Sequence, residues 1–350
     1  MPTSHRSLHS STDASTVAEL FSSQVSGKVI LITGVNSKGL GGATAKAFAP
    51  HSPKALILAS RTLSKIDETI EDLQSEYPDT QYHKIVVDFS SQESCRRAAN
   101  EILDNTDIPH IDIMINNAAV MNIPTRTLSV DGIELHLATN HVSHFLFTNI
   151  LMPKLLLAAN HSLQGSTRVV NVSALASSFQ PFRFSDVNFE KQSTSLPKSE
   201  QPNIAVMGAY GYTEEKDKKY TPILAYAQSK TANILFARGL TQKLYDEYSI
   251  QSCSVHPGMI ITELPQELRI ETVKKLERDL TEKGMQFKTL NQGANSQVLA
   301  ALDPALGPSV DDLYLEDCQT KRAPAWTTDL GISDKLWKKS EELVGQKFAW

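Results

Sequence analysis

The chain of 350 residues has only three cysteines, Cys95, Cys253 and Cys318, far apart and odd in number. That excludes a disulfide framework and a cysteine-based zinc centre, and fits a reducing compartment. Excess positive charge is also lacking. Thirty-four basic residues stand against 39 acidic ones, a net −5 spread along the chain, so no basic face is available for a nucleic-acid backbone. Long apolar runs are missing too. The most apolar stretch, 144–159, is interrupted by Asn149, Pro153 and Lys154 and is too short and polar to cross a bilayer. The first sixteen residues lack the basic-then-apolar order of a signal peptide, and one Arg beside Asp13 and Glu19 makes a poor transit peptide. A cytoplasmic location is the expectation. No internal repeat and no Pro/Gly-rich linker divides the chain.

What is present is an alternation of short apolar runs with longer periodic ones. Val29–Ile32, Leu56–Leu58, Ile85–Val87, Ile113–Ile115, Val169–Val172 and Cys253–Val255 read as strands. Most are apolar on both faces, as parallel strands covered on both sides must be. Thr62–Glu76, Ser90–Asn105, Gly132–Asn160 and Ile223–Tyr248 read as helices between them. This spacing implies right-handed crossovers and an α/β fold: a doubly wound, predominantly parallel sheet with helices on both faces. One domain is expected over 27–350, preceded by an extension, 1–26, with a short helix around Ala14–Ser22. The domain carries an insert at 179–222 and a helical region at 259–350. There Leu264, Leu268, Val273, Leu276 and Leu280 recur near helical spacing, as a helix packed on its own domain or as a substrate lid.

Thr33-Gly34-Val35-Asn36-Ser37-Lys38-Gly39-Leu40-Gly41-Gly42 stands between a strand and a helix. Glycines there allow a tight turn and a close approach of pyrophosphate to backbone, facing the positive end of the helix. A carboxylate after the second strand would grip both ribose hydroxyls of NAD. This chain has Ser60-Arg61-Thr62 instead, and Lys38 in the turn, so two cations favour the 2′-phosphate of NADP(H) over NAD(H). Tyr226-Ala227-Gln228-Ser229-Lys230 puts a phenol and an ammonium on one helix face. The cation is expected to draw the phenol down from its usual value near 10. A second Tyr-x-x-x-Lys, Tyr212 to Lys216, lies among carboxylates in the insert and reads as surface.

Together these features resemble the short-chain dehydrogenase/reductase family, retinol-dehydrogenase-like branch, from about Lys28 to about Leu302. The resemblance implies a Rossmann-type domain. Gly34, Gly39 and Gly41, with Asn36, Ser37, Lys38 and Leu40, match the family's cofactor turn, one residue longer here between its first two glycines. Asp88 matches the acid that contacts adenine, and Asn116-Asn117-Ala118-Ala119 the Asn-Asn-Ala-Gly element, with Asn117 at the cofactor. Pro257, Gly258 and Thr262 match the segment that meets the nicotinamide carboxamide, and Arg61 is the phosphate-reading position. Asn140, Ser173, Tyr226 and Lys230 match the catalytic tetrad. It also implies that Tyr226 and Lys230 touch the cofactor.

The expected reaction is hydride transfer between NADP(H) and a carbonyl or alcohol of an apolar small molecule. Ser173 and Tyr226 would hold the substrate oxygen and Tyr226 would act as general acid or base. Two alternatives stay open: a non-catalytic NADP(H)-binding sensor or scaffold, and an epimerase or dehydratase on the same site. His141 and His144 share a helical face but lack a third metal ligand. Asn171-Val172-Ser173 is formally a glycosylation sequon, read as buried strand, and no Gly-x-Ser-x-Gly elbow surrounds Ser173. Many family members pair the helices at 132–160 and 223–248 across a two-fold axis, so a homodimer through Phe145, Ile150, Ile234 and Leu235 is expected, although these positions equally suit burial in one copy. Fifty-two residues separate Ser173 from Tyr226, so the insert must leave the site and return. Phe179–Phe184 or Met207–Tyr212, with Met259–Leu264, are expected to wall a bulky apolar substrate.

Overall fold

A computed structural model describes residues 3–212, 218–260, 278, 287–309 and 313–350. Its centre is an eight-stranded sheet: β1 (Val29–Thr33), β2 (Ala55–Ser60), β3 (Gln81–Val86), β4 (Ile113–Asn116), β5 (Thr167–Val172), β6 (Ile250–His256), β9 (Tyr314–Glu316) and β10 (Gln319–Thr320). The order is β10-β9-β6-β5-β4-β1-β2-β3, parallel except for the β9–β10 hairpin. Two further short strands, β7 (Met259–Ile260) and β8 (Phe287–Lys288), pair with each other. Strands β1, β4, β5 and β6 are buried along their whole length. Strand β1 and most of β4 are correspondingly apolar on both faces, while β5 and β6 bury polar side chains such as Arg168, Asn171, Gln251 and Ser252 in hydrogen bonds. Edge strand β3 is largely exposed and correspondingly polar.

The helices are α1 (Ala14–Leu20), α2 (Ser22–Val25), α3 (Leu40–Phe48), α4 (Leu63–Glu76), α5 (Gln92–Asp104), α6 (Leu135–Leu137), α7 (Ser143–Ile150), α8 (Met152–Ala159), α9 (Ile204–Ala209), α10 (Pro222–Tyr248), α11 (Leu290–Leu302) and α12 (Leu330–Val344). They divide between the two faces of the sheet. One core holds Phe145, Phe147, Leu235 and Leu240 from α7 and α10. The other holds Phe48 from α3 and Val298 and Leu299 from α11. The strand order reverses between β1 and β4, the switch point at which doubly wound folds bind ligands outside the carboxyl ends of their strands.

Two regions beyond this frame, the extension and the insert, pack into it through their described residues. In the extension, Leu8, Ala14, Val17, Ala18, Phe21 and Val25 are buried in the second core. Asn295 on α11 donates to the carbonyls of His9, Ser10 and Thr12, and Asp303 accepts from the Ser4 amide and hydroxyl. The insert is built on α10. Gln228 accepts from the Arg183 amide and donates to the Val187 carbonyl, while Thr231 donates to the carbonyls of Ser177 and Gln180. Arg183 is wholly buried, paired with Asp186, with its guanidinium 4.0 Å over the Phe189 ring.

The C-terminal helix changes the assembly expectation. Trp337 of α12 packs on Phe145 (4.9 Å between ring centres) and Phe236 (6.0 Å), and Phe348 lies 5.7 Å from Phe145. Phe145, Ile234 and Leu235 are fully buried and Ile150 is half-buried, all within one copy. Phe145 and Leu235 share a core with Trp337, and Ile234 packs with Tyr314 and Ala323, so these positions follow the reading in which they are buried in one copy.

Candidate active site

The turn after β1 depends on missing side chains. Gly34 has φ +72°, and a Cβ there would come within 2.6 Å of the Ala118 backbone. A Cβ on Gly42 would sit 2.1 Å from the Asn36 carbonyl oxygen, and one on Gly41 2.6 Å from that of Gly34. The turn is therefore folded tightly onto the start of α3, whose first amides face the crevice with Gly39 at its cap. Asn36 braces the loop by accepting from the Lys38 amide. Lys38 and Arg61 are both exposed at the mouth. Ser37 donates to Glu68 on α4 at 2.8 Å, bringing a carboxylate to this turn from a helix whose spacing had not marked it.

Two other expected cofactor residues lie on this rim. Asp88, just past β3, accepts from the amide and hydroxyl of Ser90. Asn117 turns its amide back to donate to the carbonyls of Thr33 and Gly34, locking β4 to the glycine turn. Thr33 Oγ1 in turn accepts from the amides of Asn117 and Ala118. The turn can be grouped with the strand ends only because these contacts hold it there. Pro257 and Gly258 follow β6, Gly258 with φ +88°. Thr262 lies outside the described residues, as do the stripe from Leu264 to Leu276, Leu280, and residues 213–217 of the second Tyr-x-x-x-Lys.

The tetrad converges where β5, α10 and the π turn at Ala138–Val142 meet. Asn140, on that turn, donates to the Val120 carbonyl (3.0 Å) and to Ser229 Oγ (2.9 Å), and accepts from the Val120 amide (2.8 Å). Ser229 donates to the Tyr226 carbonyl. Ser173 Oγ donates to the Lys230 carbonyl, and Lys230 Nζ donates to the Val172 carbonyl at 2.9 Å. That ammonium lies 5.6 Å from the centre of the Tyr226 ring. Three segments distant in sequence are thus tied within one another's reach, and Ser229 is a link that sequence spacing left unassigned.

The short chain dehydrogenase family model matches residues 28–186. "Oxidoreductase fscI" of Fusarium equiseti is 40% identical over 71% of this chain and 93% of its own length. "Short-chain dehydrogenase TIC 32 A, chloroplastic" of Brassica napus is 32% identical over 90% of this chain and 88% of its own. The chain belongs to the short-chain dehydrogenase family. Retinol dehydrogenase 11 of Mus musculus, 30% identical over 93% of the chain and 89% of its own, marks the branch. Among solved structures, NADPH-bound carbonyl reductase from chicken fatty liver shares the fold, with TM-score 0.56 and 18% identity over 86% of this chain and 95% of its own.

One electrostatic expectation for this dehydrogenase is reversed. Burial pushes the Tyr226 phenol well above its usual value near 10 and pulls Lys230 down to about 7. Lys230 reaches a carbonyl rather than the phenol, so desolvation outweighs the attraction between the pair. Burial thus favours the protonated phenol, the form suited to proton donation. Its ring belongs to an apolar cluster with Phe179, Met207 and Leu224, so the insert does border Tyr226. Phe182 and Phe184 instead pack on the main core.

The two helical histidines of the dehydrogenase serve packing. His141 Nε2 is 2.7 Å from Ser340 Oγ on α12, and His144 Nε2 is 3.0 Å from Thr33 Oγ1 with its ring stacked on Phe89. Burial drives both down to about 3. Among the described residues no cluster of three His, Cys, Asp or Glu could hold a metal, and no single helix is long and apolar enough to cross a membrane. Asn171, the formal sequon, is buried, donating to Ser252.

Proposed function

We propose that the protein transfers hydride between NADP(H) and a carbonyl or alcohol, with Tyr226 as general acid in reduction and general base in oxidation. The observation that carries this is the tethering of Asn140, Ser173, Tyr226 and Lys230 through short hydrogen bonds beside the glycine turn. The tight approaches at Gly34, Gly41 and Gly42 suit a pyrophosphate laid on backbone amides, and the exposed Lys38 and Arg61 outnumber Glu68 where a 2′-phosphate would rest.

When bound, the nicotinamide supplies or accepts the hydride. The chain's own groups do the rest. The Ser173 hydroxyl, free to rotate from the Lys230 carbonyl, hydrogen-bonds the substrate oxygen as negative charge grows on it. Tyr226, held protonated by burial, delivers its proton to that oxygen. Lys230, held by the Val172 carbonyl one turn along α10 from the phenol, keeps a cationic or donor group beside the reacting pair. Asn140 fixes the backbone at Val120, the wall opposite α10.

The retained proton-handling set speaks for catalysis over a sensor or scaffold, which needs only the cofactor crevice. The apolar cluster of Phe179, Met207 and Tyr226 supports an apolar surrounding for the reacting carbon. Assembly into a homodimer would need a face other than that under α12. A cytoplasmic location is proposed on the scarcity and wide spacing of the cysteines, Cys95, Cys253 and Cys318. Cell fractionation tests it. For the chemistry, a panel of ketones, aldehydes and alcohols followed by nicotinamide absorbance is decisive. Tyr226→Phe should keep NADPH binding while turnover falls by roughly 10²–10⁴-fold. Equal turnover in wild type and variant refutes the assignment.

A further inference from the structure

A cavity of about 340 Å³ opens at the carboxyl end of the sheet beyond β6. Leu175, two residues after Ser173, lines it, as do Gly258 and Met259 after β6 and Tyr210 from the insert. It therefore adjoins the place where substrate must enter. Its far wall is unlike the apolar cluster around Tyr226. Ser10 and Ser11 of the extension, His256, Lys288, Glu316 and Asp317 all face it.

The wall is assembled with some care. Lys288 is buried to 7% exposure of its side chain, yet its ammonium reaches Asp317 at 2.6 Å. Its stem passes over Gly258 so closely that a Cβ there would meet Lys288 Cε at 2.7 Å. Asp317 and Cys318 form the β9–β10 turn with φ of +55° and +58°, a backbone conformation that such turns usually give to Asn and Gly. Strain of this kind is retained where the side chain it aims is needed. His256 Nδ1 accepts from the Gly258 amide, which leaves its proton on Nε2, 3.9 Å from Glu316. Burial and Lys288 drive that imidazole down to about 4, so it faces the cavity neutral.

We propose that this cavity holds the end of the substrate remote from the reacting carbonyl, and that this end is neutral and rich in hydroxyl and carbonyl groups. The Lys288–Asp317 pair then sets specificity. A hydrocarbon tail would strip water from the buried ammonium and its half-exposed carboxylate partner without replacing their hydrogen bonds. An anion would meet Glu316 and Asp317, and a cation would meet Lys288. Groups that both donate and accept satisfy every member of the wall, including the serine hydroxyls. The substrate is thus amphipathic, apolar at its carbonyl and oxygenated at its far end. This inference rests on the hydride-transfer reading and refines it.

The test uses 2-nonanone and 8,9-dihydroxynonan-2-one, which differ only at the distal end. Calorimetric titration of the full chain with NADP+ present, which cannot reduce a ketone, needs no turnover. The wild type should bind the diol at least ~10-fold more tightly, since each new hydrogen bond to a charged group contributes a factor of that order. Lys288→Met should abolish the preference and Lys288→Arg partly restore it, with NADPH affinity unchanged in both. Asp317→Asn, on the exposed turn, gives the same reading should Lys288→Met fail to fold. Equal binding of the two ketones by wild type, or a preference that survives both Lys288→Met and Asp317→Asn, overturns the proposal. A diol preference lost in the variants supports it even if neither ketone is reduced, in which case only the hydride-transfer reading fails.

Discussion

Replacing Trp337 by alanine probes the C-terminal helix at its densest contact. The indole is 6% exposed and lies 4.9, 6.0 and 5.5 Å from the ring centres of Phe145, Phe236 and Trp350. Lys243 covers it at 5.1 Å and its Nε1 donates to Glu341. Truncating a buried Trp to Ala costs about 3–5 kcal/mol, from lost transfer energy and the cavity left behind. Three ring contacts, each adding about 0.5–1.5 kcal/mol beyond area, put this site toward the upper end. Trp337→Phe keeps most of the ring and should cost roughly half as much. Urea unfolding followed by far-UV dichroism and by emission measures the shift, and coincidence of the two probes licenses the two-state treatment. Because the helix also covers Phe145 and Phe236, the alanine variant should associate in light scattering above the 38.6 kDa of one chain. A loss under about 1 kcal/mol in Trp337→Ala would refute the reading of α12 as an integral wall of the core.

The cofactor crevice and the buried titrating groups give three more expectations. Arg61→Ala should weaken NADPH far more than NADH, by about 1.5–3 kcal/mol for a lost charge-assisted contact, read by fluorescence titration; a wild type that prefers NADH would contradict it. Gly42→Ala drives a Cβ into the Asn36 carbonyl and should lower NADPH affinity at least ~10-fold, whereas unchanged affinity would mean the turn has room to give. His141 and His144 sit near 3 in the folded protein against 6.5 unfolded, so the unfolded chain binds more protons between those values. Stability held above pH 6.5 is therefore lost as pH falls through that window, and His141→Gln should move the midpoint of acid unfolding, followed by far-UV dichroism, to lower pH; an unchanged or higher midpoint would contradict it.

Most of the frame was readable because its parts obey local rules. Most of the strand runs are apolar on both faces, and the glycine turn sits between a strand and a helix at fixed spacing. Tyr226 and Lys230 share a helix face by the geometry of a single element. What escaped depends on contacts between distant segments. Glu68 reaches the glycine turn from another helix, Ser229 acts by linking Asn140 to Tyr226, and Lys288 enters its cavity only over a glycine thirty positions earlier. The lowered Lys230 and raised Tyr226 invert a rule that holds in water, because burial depth is not written in a four-residue spacing. Trp337 escaped for a similar reason: a tail helix and a partner subunit offer a buried face the same kind of surface.

The extension has a consequence in time. Its contacts run to α11 and Asp303, and the pairing of Ser4 with Asp303 closes a separation of 299 residues. At cellular synthesis rates of ~5–20 residues per second, the extension waits roughly 15–60 s for the surface it covers. Until then Val17 and Phe21 have only part of their buried neighbourhood, and chaperones meet them exposed. Contacts of such length add loop-closure cost late in folding, so the strap closes last and opens first. Proteolysis of the native protein should accordingly begin ahead of Val29, with the sheet still intact behind the cut.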